Sequence, residues 1–258
     1  MTLITLTTDF GATDAFVGIM KGVIASRAPD VRVVDVTHGV PPQDVLAGAL
    51  VLRHAVPYFP AGTIHVAVVD PGVGTARRPL CVETTRAVLV GPDNGLLSLA
   101  APAADVRRIL HLTNDKLFCS PRSGTFDGRD VFAPIAAAIA SGTPLSTLGP
   151  VVPDMERLEL ATPVREGQRL HGEVIYVDGF GNLVTNVPEA ALPAGGRCTI
   201  EVASTRIPGV APSYSAVMPG TPVALIGSWG LLEIAVRNGS ARSALKAAVG
   251  QPVVIVVS

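Results

Sequence analysis

The first half of the chain alternates short apolar segments with longer segments of helical pattern, and this alternation restricts the possible folds more than any other feature. Strands rich in Val and Ile are predicted for residues 3–11, 31–39, 63–74 and 86–97. Helices are predicted for residues 14–29, 41–60 and 130–142. Short apolar strands between helices are typical of a mostly parallel sheet with flanking helices. We therefore predict an N-terminal α/β domain over residues 1–150.

The pattern changes in the second part of the chain. Residues 151–168 are rich in Pro, have little periodicity and are predicted to form a linker. Residues 170–187 and 222–236 each have the pattern of a strand, a tight turn and a second strand. These features predict a smaller C-terminal antiparallel β domain over residues 169–258.

The composition excludes several classes of protein. Of the 258 residues, 48% are hydrophobic and 16% are charged, which indicates a globular protein. The net charge of −1 and the absence of a basic block argue against nucleic-acid or membrane partners. Cys81, Cys119 and Cys198 lie far apart, which suits a reducing cytoplasm. The first residues lack the pattern of a signal peptide, so we expect a cytoplasmic protein.

Acidic and polar residues follow three of the predicted strands. Asp9 lies in "TTDFG", Asp70 in "VVDPGVG", and Asp93 and Asn94 in "VGPDNGLL". In an open α/β sheet, ligands bind beyond the carboxyl ends of the strands. Each residue alone is explained at least equally well as a turn former. Three such sequences at one edge of one sheet favour a binding site.

Several common catalytic motifs are missing. "DPGVGTARR" lacks the third glycine of a dinucleotide-binding loop, and no P-loop sequence occurs. "GSWG" is not a nucleophile elbow, and the sequence has no HExxH. These absences argue against a nicotinamide dehydrogenase, an NTPase, a serine hydrolase and a metalloprotease. We expect neither a metal nor a bound cofactor.

A second polar group lies in the β domain. "VDGFGN" carries Asp178 and Asn182, and "GSWGLLE" carries Ser228 and Glu233. Asp-Gly and Gly-Asn pairs are also ordinary hairpin-turn sequences. Spacing alone supports a binding site and a purely structural turn equally.

Several longer motifs occur in order along the chain. They are "TTDFGATDAFVGIMKG", "VVDVTHGVPPQD", "YFPAGTIHVAVVDPGVGTARRPL", "VGPDNGLL", "GTFDGRDVFAP", "VDGFGNLVTN" and "SWGLLEIAV". Together they resemble the S-adenosylmethionine (SAM) hydrolase family, also called SAM hydroxide adenosyltransferases. That family is related to the SAM-dependent fluorinase and chlorinase.

The resemblance implies hydrolysis of SAM to adenosine and L-methionine without a further cofactor. It also implies a homotrimer with active sites at the subunit interfaces. Asp70 and Arg77 match two members of the family's Asp–Arg–His catalytic set. The substrate-binding residues implied by the motifs are Asp9 for the ribose, Asp178, Asn182 and Ser228 for the methionine end, and Tyr214, Glu233 and Val236 around adenine.

The third catalytic position departs from the family pattern. The family reads "TFHGRD" where this chain reads "TFDGRD", so Asp127 stands in place of a histidine. Asp127 would be an acceptor for the attacking water, and Arg77, Arg78 or Arg129 would offset its repulsion from Asp70. Aspartate is also a favoured helix cap. We assign that duty to Asp130, which leaves Asp127 for the site.

Two other functions stay open at this point. The chain could be a family member that binds SAM or adenosine but has lost turnover through Asp127. It could also be a halogenase, although the halogenases have a tyrosine at the position of Asp70. Two carboxylates facing a halide would oppose its binding, so hydrolysis is favoured over halogenation.

Overall fold

The computed structural model describes residues 2–193, 195 and 197–257 of the chain. Contacts divide the chain into two compact units, Met1–Leu158 and Glu159–Ser258. Each unit has its own sheet and its own hydrophobic core. Among the described residues, no helix combines the length and the apolar character that crossing a membrane requires.

The described part of the first unit is built on a seven-stranded mixed sheet. Its strands are β1 (Leu3–Thr8), β2 (Arg32–Thr37), β3 (Ile64–Val68), β4 (Pro79–Thr84), β5 (Val88–Pro92), β6 (Val106–His111) and β7 (Val151–Val152). The order across the sheet is β2-β1-β3-β5-β4-β6-β7. Pairs β1–β2, β1–β3 and β3–β5 are parallel, whereas β4 pairs antiparallel with β5 and β6. The predicted α/β class is confirmed.

Helices α1 (Phe16–Arg27), α2 (Val45–Ala55) and α3 (Ala133–Ala140) pack in this unit. Asp44 caps α2, since its side chain accepts the backbone N–H of Ala47 at 2.9 Å. A π-helical turn, Gly128–Phe132, leads directly into α3. The core contains buried residues of α1, β1 and α3. These helices therefore fix the position of β1, whose carboxyl end lies beside the candidate site.

The second unit is an antiparallel β structure. Its described strands are β8 (Val164–Glu166), β9 (Arg169–Val177), β10 (Leu183–Pro188), β11 (Cys198–Val202), β12 (Thr205–Pro208), β13 (Pro222–Ile226), β14 (Leu231–Val236) and β15 (Pro252–Val257). They follow the order β12-β11-β15-β9-β10-β14-β13, with β8 beside β9. Helix α4 (Ala241–Leu245) is capped by Ser240, whose hydroxyl accepts the N–H of Ser243.

Some strands lie where the sequence predicts none. The range 151–168 contains β7, which joins the first sheet, and β8, which pairs with β9. The sequence also does not predict β4, β6, β11 and β12. Strands β4 and β5 are joined by a connection of residues 85–87, and a connection this short makes their pairing antiparallel.

Candidate active site

The carboxyl ends of β1 and β3 bring Asp9 and Asp70 to one edge of the first sheet. The two strands pair in parallel with Thr8 opposite Val68, so the residues that follow leave the sheet at the same edge. A cavity of about 400 Å³ lies there. Asp127, from the start of the π-helical turn, lines this cavity together with Asp9 and Asp70.

Arg77 contacts two of these carboxylates at once. Its Nε donates to Oδ1 of Asp70 at 3.0 Å, and its Nη2 donates to Oδ2 of Asp70. The same Nη2 donates to Oδ2 of Asp127 at 2.5 Å. All three side chains are at most 9% exposed. Burial lowers the pKa of Arg77, but the hydrogen bonds and charges of the two carboxylates outweigh it and leave that pKa above its ordinary value.

A second arginine, Arg122, completes the environment of Asp127. Its Nε lies 3.0 Å from Oδ1 of Asp127, and its Nη2 lies 2.8 Å from Oδ1 and 2.9 Å from Oδ2. Sequence reasoning missed this residue, because no motif marks it beyond its position in the same loop as Asp127. Of the three arginines expected as alternatives for offsetting the charge of Asp127, Arg77 contacts it, whereas Arg78 and Arg129 bind other carboxylates.

Asp130 does not cap the helix, so that prediction is wrong. It lies inside the π-helical turn and is fully buried. Its Oδ2 accepts the backbone N–H of Ser123 at 2.8 Å, and its Oδ1 accepts Nε of Arg129 at 2.6 Å. Burial raises the pKa of Asp130, but the hydrogen bonds to Arg129 and Ser123 and the charge of Arg129 lower it by more, so this pKa lies below its usual value. Asp127 occupies the cap position without a capping hydrogen bond from its side chain.

The loops that carry the two arginines touch at their backbones. Gly74 adopts a φ of +81°, and a Cβ built on it would lie 2.8 Å from the carbonyl oxygen of Gly124. Glycine is therefore required at position 74 for both conformation and space. This contact sets the spacing between the loop of Arg77 and the loop of Arg122.

Asp93 and Asn94 serve the structure of a turn. Asp93 accepts Nε of Arg78 at 2.7 Å and the backbone N–H of Glu156 at 2.7 Å. Asn94 donates to the carbonyl of Val69 and accepts a backbone N–H of its own turn. Neither is among the described residues that line the cavity. Of the acids predicted at the sheet edge, the cavity thus receives Asp9 and Asp70.

The remaining wall of this cavity combines a strained backbone with an aromatic surface. Gln43 has a φ of +65°, unusual for a residue with a side chain, and its N–H donates to Oδ2 of Asp9 at 2.8 Å. The rings of Phe10, Phe16 and Phe126 pack against one another with centroids 5.3–5.7 Å apart. The cavity is therefore lined by aromatic rings as well as by carboxylates.

In the second unit, the residues predicted for the turn of "VDGFGN" form a closed hydrogen-bond set. Oδ1 of Asp178 accepts the backbone N–H groups of Phe180 and Asn182 at 2.9 Å and 2.8 Å. Its Oδ2 accepts Nδ2 of Asn182 at 2.9 Å. A cavity of about 480 Å³ is lined by Asn182, Tyr214 and Val236, among others.

The side chains of Tyr214 and Glu233 are joined by a hydrogen bond. The phenol donates to Oε1 of Glu233 at 2.6 Å. Burial raises the pKa of Tyr214 to about 12, helped by the hydrogen bond to Glu233 and the charges of Glu233 and Asp178. Burial also raises the pKa of Glu233; the phenol opposes this shift and the charge of Asp178 adds to it. A Cβ at Gly227 would lie 2.4 Å from Oε2 of Glu233, so a larger residue at position 227 would displace the carboxyl group of Glu233.

Ser228 and Trp229 follow this glycine. Ser228 is exposed and is not among the described residues that line the second cavity. The ring of Trp229 stacks on Tyr176 with centroids 4.9 Å apart and planes inclined by 31°. The bulk of Trp229 is thus accommodated by an aromatic neighbour. No group of three His, Cys, Asp or Glu residues with metal-site geometry occurs in the described part of the chain.

Comparison with known families matches both units. Residues 4–149 match the SAM hydroxide adenosyltransferase N-terminal domain. Residues 172–254 match the SAM hydroxide adenosyltransferase C-terminal domain.

Individual relatives agree with this match. An (R)-S-adenosyl-L-methionine hydrolase from Thermus thermophilus is 45% identical over 95% of this chain and 96% of its own. A fluorinase from an Actinoplanes species is 29% identical over 92% of this chain and 91% of its own. The crystal structure of an uncharacterized conserved protein from Thermotoga maritima has a TM-score of 0.90 and 34% identity, covering 99% of this chain and 100% of that chain.

Proposed function

The chain belongs to the SAM hydroxide adenosyltransferase family, and from that premise we propose that it hydrolyses S-adenosyl-L-methionine to adenosine and L-methionine. The oxygen of water bonds to C5′ of the ribose while the bond between C5′ and the sulfonium sulfur breaks. Methionine leaves with the electron pair of that bond, and the water releases one proton. The relative's name specifies the (R) form of the substrate, and we propose the same form here.

The observation that carries this proposal is the presence of three carboxylates, Asp9, Asp70 and Asp127, on one cavity. SAM carries a positive sulfonium, which carboxylates attract. The sulfur becomes neutral as methionine leaves, so the reaction has no need of an acid to assist departure. The protein's main tasks are then to orient one water in line with the bond that breaks and to receive its proton.

Asp70 is the residue we assign to receive that proton. Each of its oxygens accepts one hydrogen bond from Arg77, and each retains a further lone pair for the water. Arg77 fixes the direction of the carboxylate. A positioned base of this kind contributes about 10²–10⁴-fold to the rate. Asp127 shares Arg77 with Asp70 and accepts a second hydrogen of the water.

Asp9 is assigned to the ribose hydroxyls. Its Oδ2 is held by the N–H of Gln43, and the carboxylate has further lone pairs for two neighbouring hydroxyl groups. The aromatic rings of Phe10, Phe16 and Phe126 line the same cavity and offer apolar surface to the substrate.

The second unit is assigned to the two ends of the substrate. The proposed residues are Tyr214, Glu233 and Val236 for adenine, and Asp178, Asn182 and Ser228 for methionine. Asn182, Tyr214 and Val236 line one cavity, which supports a substrate-binding site in this unit. Glu233 accepts the phenol of Tyr214 and has a pKa raised by burial, and we assign it as a polar partner of the adenine ring.

The test is incubation of the purified protein with (R)-SAM in water enriched in ¹⁸O, followed by chromatography and mass spectrometry. We expect equal amounts of adenosine and methionine, with one ¹⁸O in the adenosine and none in the methionine. The (S) form at sulfur is the matched control and should react far more slowly. Label in another product would contradict attack at C5′.

Two outcomes would favour other functions. Tight SAM binding without adenosine above the uncatalysed rate would indicate a binding protein that has lost turnover through Asp127. Halogenated deoxyadenosine formed in the presence of chloride or fluoride would indicate a halogenase. We rank the halogenase lower, because Asp70 and Asp127 would repel a halide.

We further propose a cytoplasmic homotrimer that has its active sites at the subunit interfaces and acts without a metal or an organic cofactor. The resemblance to the family supports the trimer, and the spacing of the cysteines supports the compartment. The sulfonium is activated in the substrate itself, which supports a reaction without a cofactor. Light scattering should give three times the chain mass of 26.5 kDa, and a chelator should leave the rate unchanged.

A further inference from the structure

We propose that Arg122 is a positioning residue for the reaction. In this proposal it binds Asp127 so that Arg77 stays engaged with Asp70, the carboxylate that receives the proton. The inference rests on the proposed hydrolysis and adds a residue to it. It begins from the four charged side chains Asp70, Arg77, Asp127 and Arg122, which we call the charge chain.

The charge chain alternates in sign. Arg77 bridges Asp70 and Asp127 through one nitrogen, Nη2, and Arg122 binds the far side of Asp127. The side chains of Asp70 and Asp127 are only 5% and 2% exposed, so water screens their repulsion poorly. With Arg77 alone, two buried carboxylates would share one cation. Arg122 brings the four groups to electrical neutrality.

The geometry divides the work between the two arginines. Arg122 uses both Nε and Nη2 on Asp127, the fork geometry that fixes a carboxylate in direction as well as in charge. Arg77 uses Nε on Asp70, with Nη2 between the two acids. Without Arg122, the full charge of Asp127 falls on Arg77 and draws its guanidinium away from Asp70. Asp70 then loses the partner that orients it.

Arg122 can be changed without emptying the core. Its side chain is 42% exposed, and its guanidinium lies 5.8 Å from the ring centroid of Phe118. Arg108 offers a matched control in the same unit, since its side chain is 39% exposed and it binds a single acid, Glu83. Replacing either arginine by glutamine removes one positive charge from a partly exposed ion pair.

The test is a double-mutant cycle of Arg122→Gln and Asp127→Asn, with adenosine release measured as kcat and KM separately. We expect Arg122→Gln to lower kcat roughly tenfold, a part of what a positioned base supplies. The loss should fall on kcat with little change in KM, because Arg122 binds Asp127 and is not among the residues assigned to the substrate. Arg122→Lys should recover part of the rate, and Arg108→Gln should leave both kcat and KM unchanged.

The decisive comparison is the effect of Arg122→Gln in the two backgrounds. When Asp127→Asn has removed the charge on which Arg122 acts, the further change Arg122→Gln should alter kcat less than twofold. An equal effect with and without Asp127→Asn would overturn the proposal, as would an unchanged kcat in the single variant. Failure of the natural chain to release adenosine would instead contradict the proposed hydrolysis itself.

Discussion

The two units each bring two carboxyl groups near one another, and they do so with different partners. In the first unit, Asp70 and Asp127 share the guanidinium of Arg77. In the second unit, Glu233 faces the phenol of Tyr214 and the charge of Asp178, and its pKa is raised. A cation between two acids lets both carry charge, whereas a neutral phenol does not compensate burial. The first arrangement suits proton acceptance, and the second suits the recognition of a neutral ring.

Removal of Arg77, the cation that Asp70 and Asp127 share, should have the largest effect on the first unit. Arg77→Met should lower kcat by about 100-fold or more, because Asp70 loses its orientation. It should also lower the free energy of unfolding at neutral pH by about 3–5 kcal/mol, since two buried carboxylates are left without Arg77. Adenosine release and urea denaturation measure the two effects. Arg77→Lys keeps the charge and should retain part of both; equal losses in the two variants would contradict a role for the charge.

A change of pH also distinguishes the two units, because a buried group in each changes the free energy of unfolding in the opposite direction. His65 in the first unit is fully buried beside Thr5, and burial, aided by the charge of Arg86, lowers its pKa to about 4. An unfolded histidine titrates near 6.5. Between these values the unfolded chain binds the extra proton, so His65 lowers stability as the pH falls from 6.5 to 4. The loss amounts to about 3 kcal/mol.

Glu233 has the opposite sign. Its pKa is raised in the folded state, so its contribution to stability is present at low pH and is lost as the pH rises through that pKa. Urea titrations between pH 4 and 7 measure how the free energy of unfolding depends on pH. Compared with the natural chain, this free energy should rise less steeply with pH in His65→Asn and more steeply in Glu233→Gln. A slope unaffected by His65→Asn would show that other groups govern the acid response.

The smallest expected effect concerns the phenol of Tyr214. Glu233→Gln keeps an oxygen that can accept the phenol hydrogen but removes the negative charge. The pKa of Tyr214, raised to about 12, should then fall toward the ordinary tyrosine value of about 10. Absorbance of the phenolate against pH measures this change, and Tyr214→Phe identifies the transition. An unaltered transition would mean that burial alone sets the pKa.

The sequence predicted the strands of the first sheet that pair in parallel, β1, β2, β3 and β5, and missed the antiparallel strands β4, β6 and β7. β1 and β3 are apolar enough to be recognised without their neighbours. β4 and β6 carry charges, and the structure pairs Glu83 of β4 directly opposite Arg108 of β6. A charged residue that is paired with a residue of the neighbouring strand interrupts the apolar pattern of its own strand. Such a strand is therefore hard to recognise from its own segment of sequence. The class of the fold was therefore accessible, while the antiparallel half of the first sheet was not.

The candidate site was predictable to the same extent. Asp9, Asp70 and Asp127 were identified from motifs, and the structure brings these three to one cavity. Arg122 was missed because its role depends on how the loop before Asp127 folds back. Asp93 was expected at the same edge, yet it binds Arg78 and the backbone of Glu156. Which arginine meets which acid is decided by loop conformation, which strand and helix periodicity does not encode.

The contact between Gly74 and Gly124 has a consequence for protein engineering. Gly124 has open space around its Cα, although its φ of +75° still favours glycine, whereas position 74 has no room for even a methyl group. A library that varies the loop from Arg122 to Asp127 in search of altered nucleophiles should hold Gly74 constant. The contact between the two loops would then stay the same in every variant. Changes in turnover could be attributed to the new side chains and not to a loss of that contact.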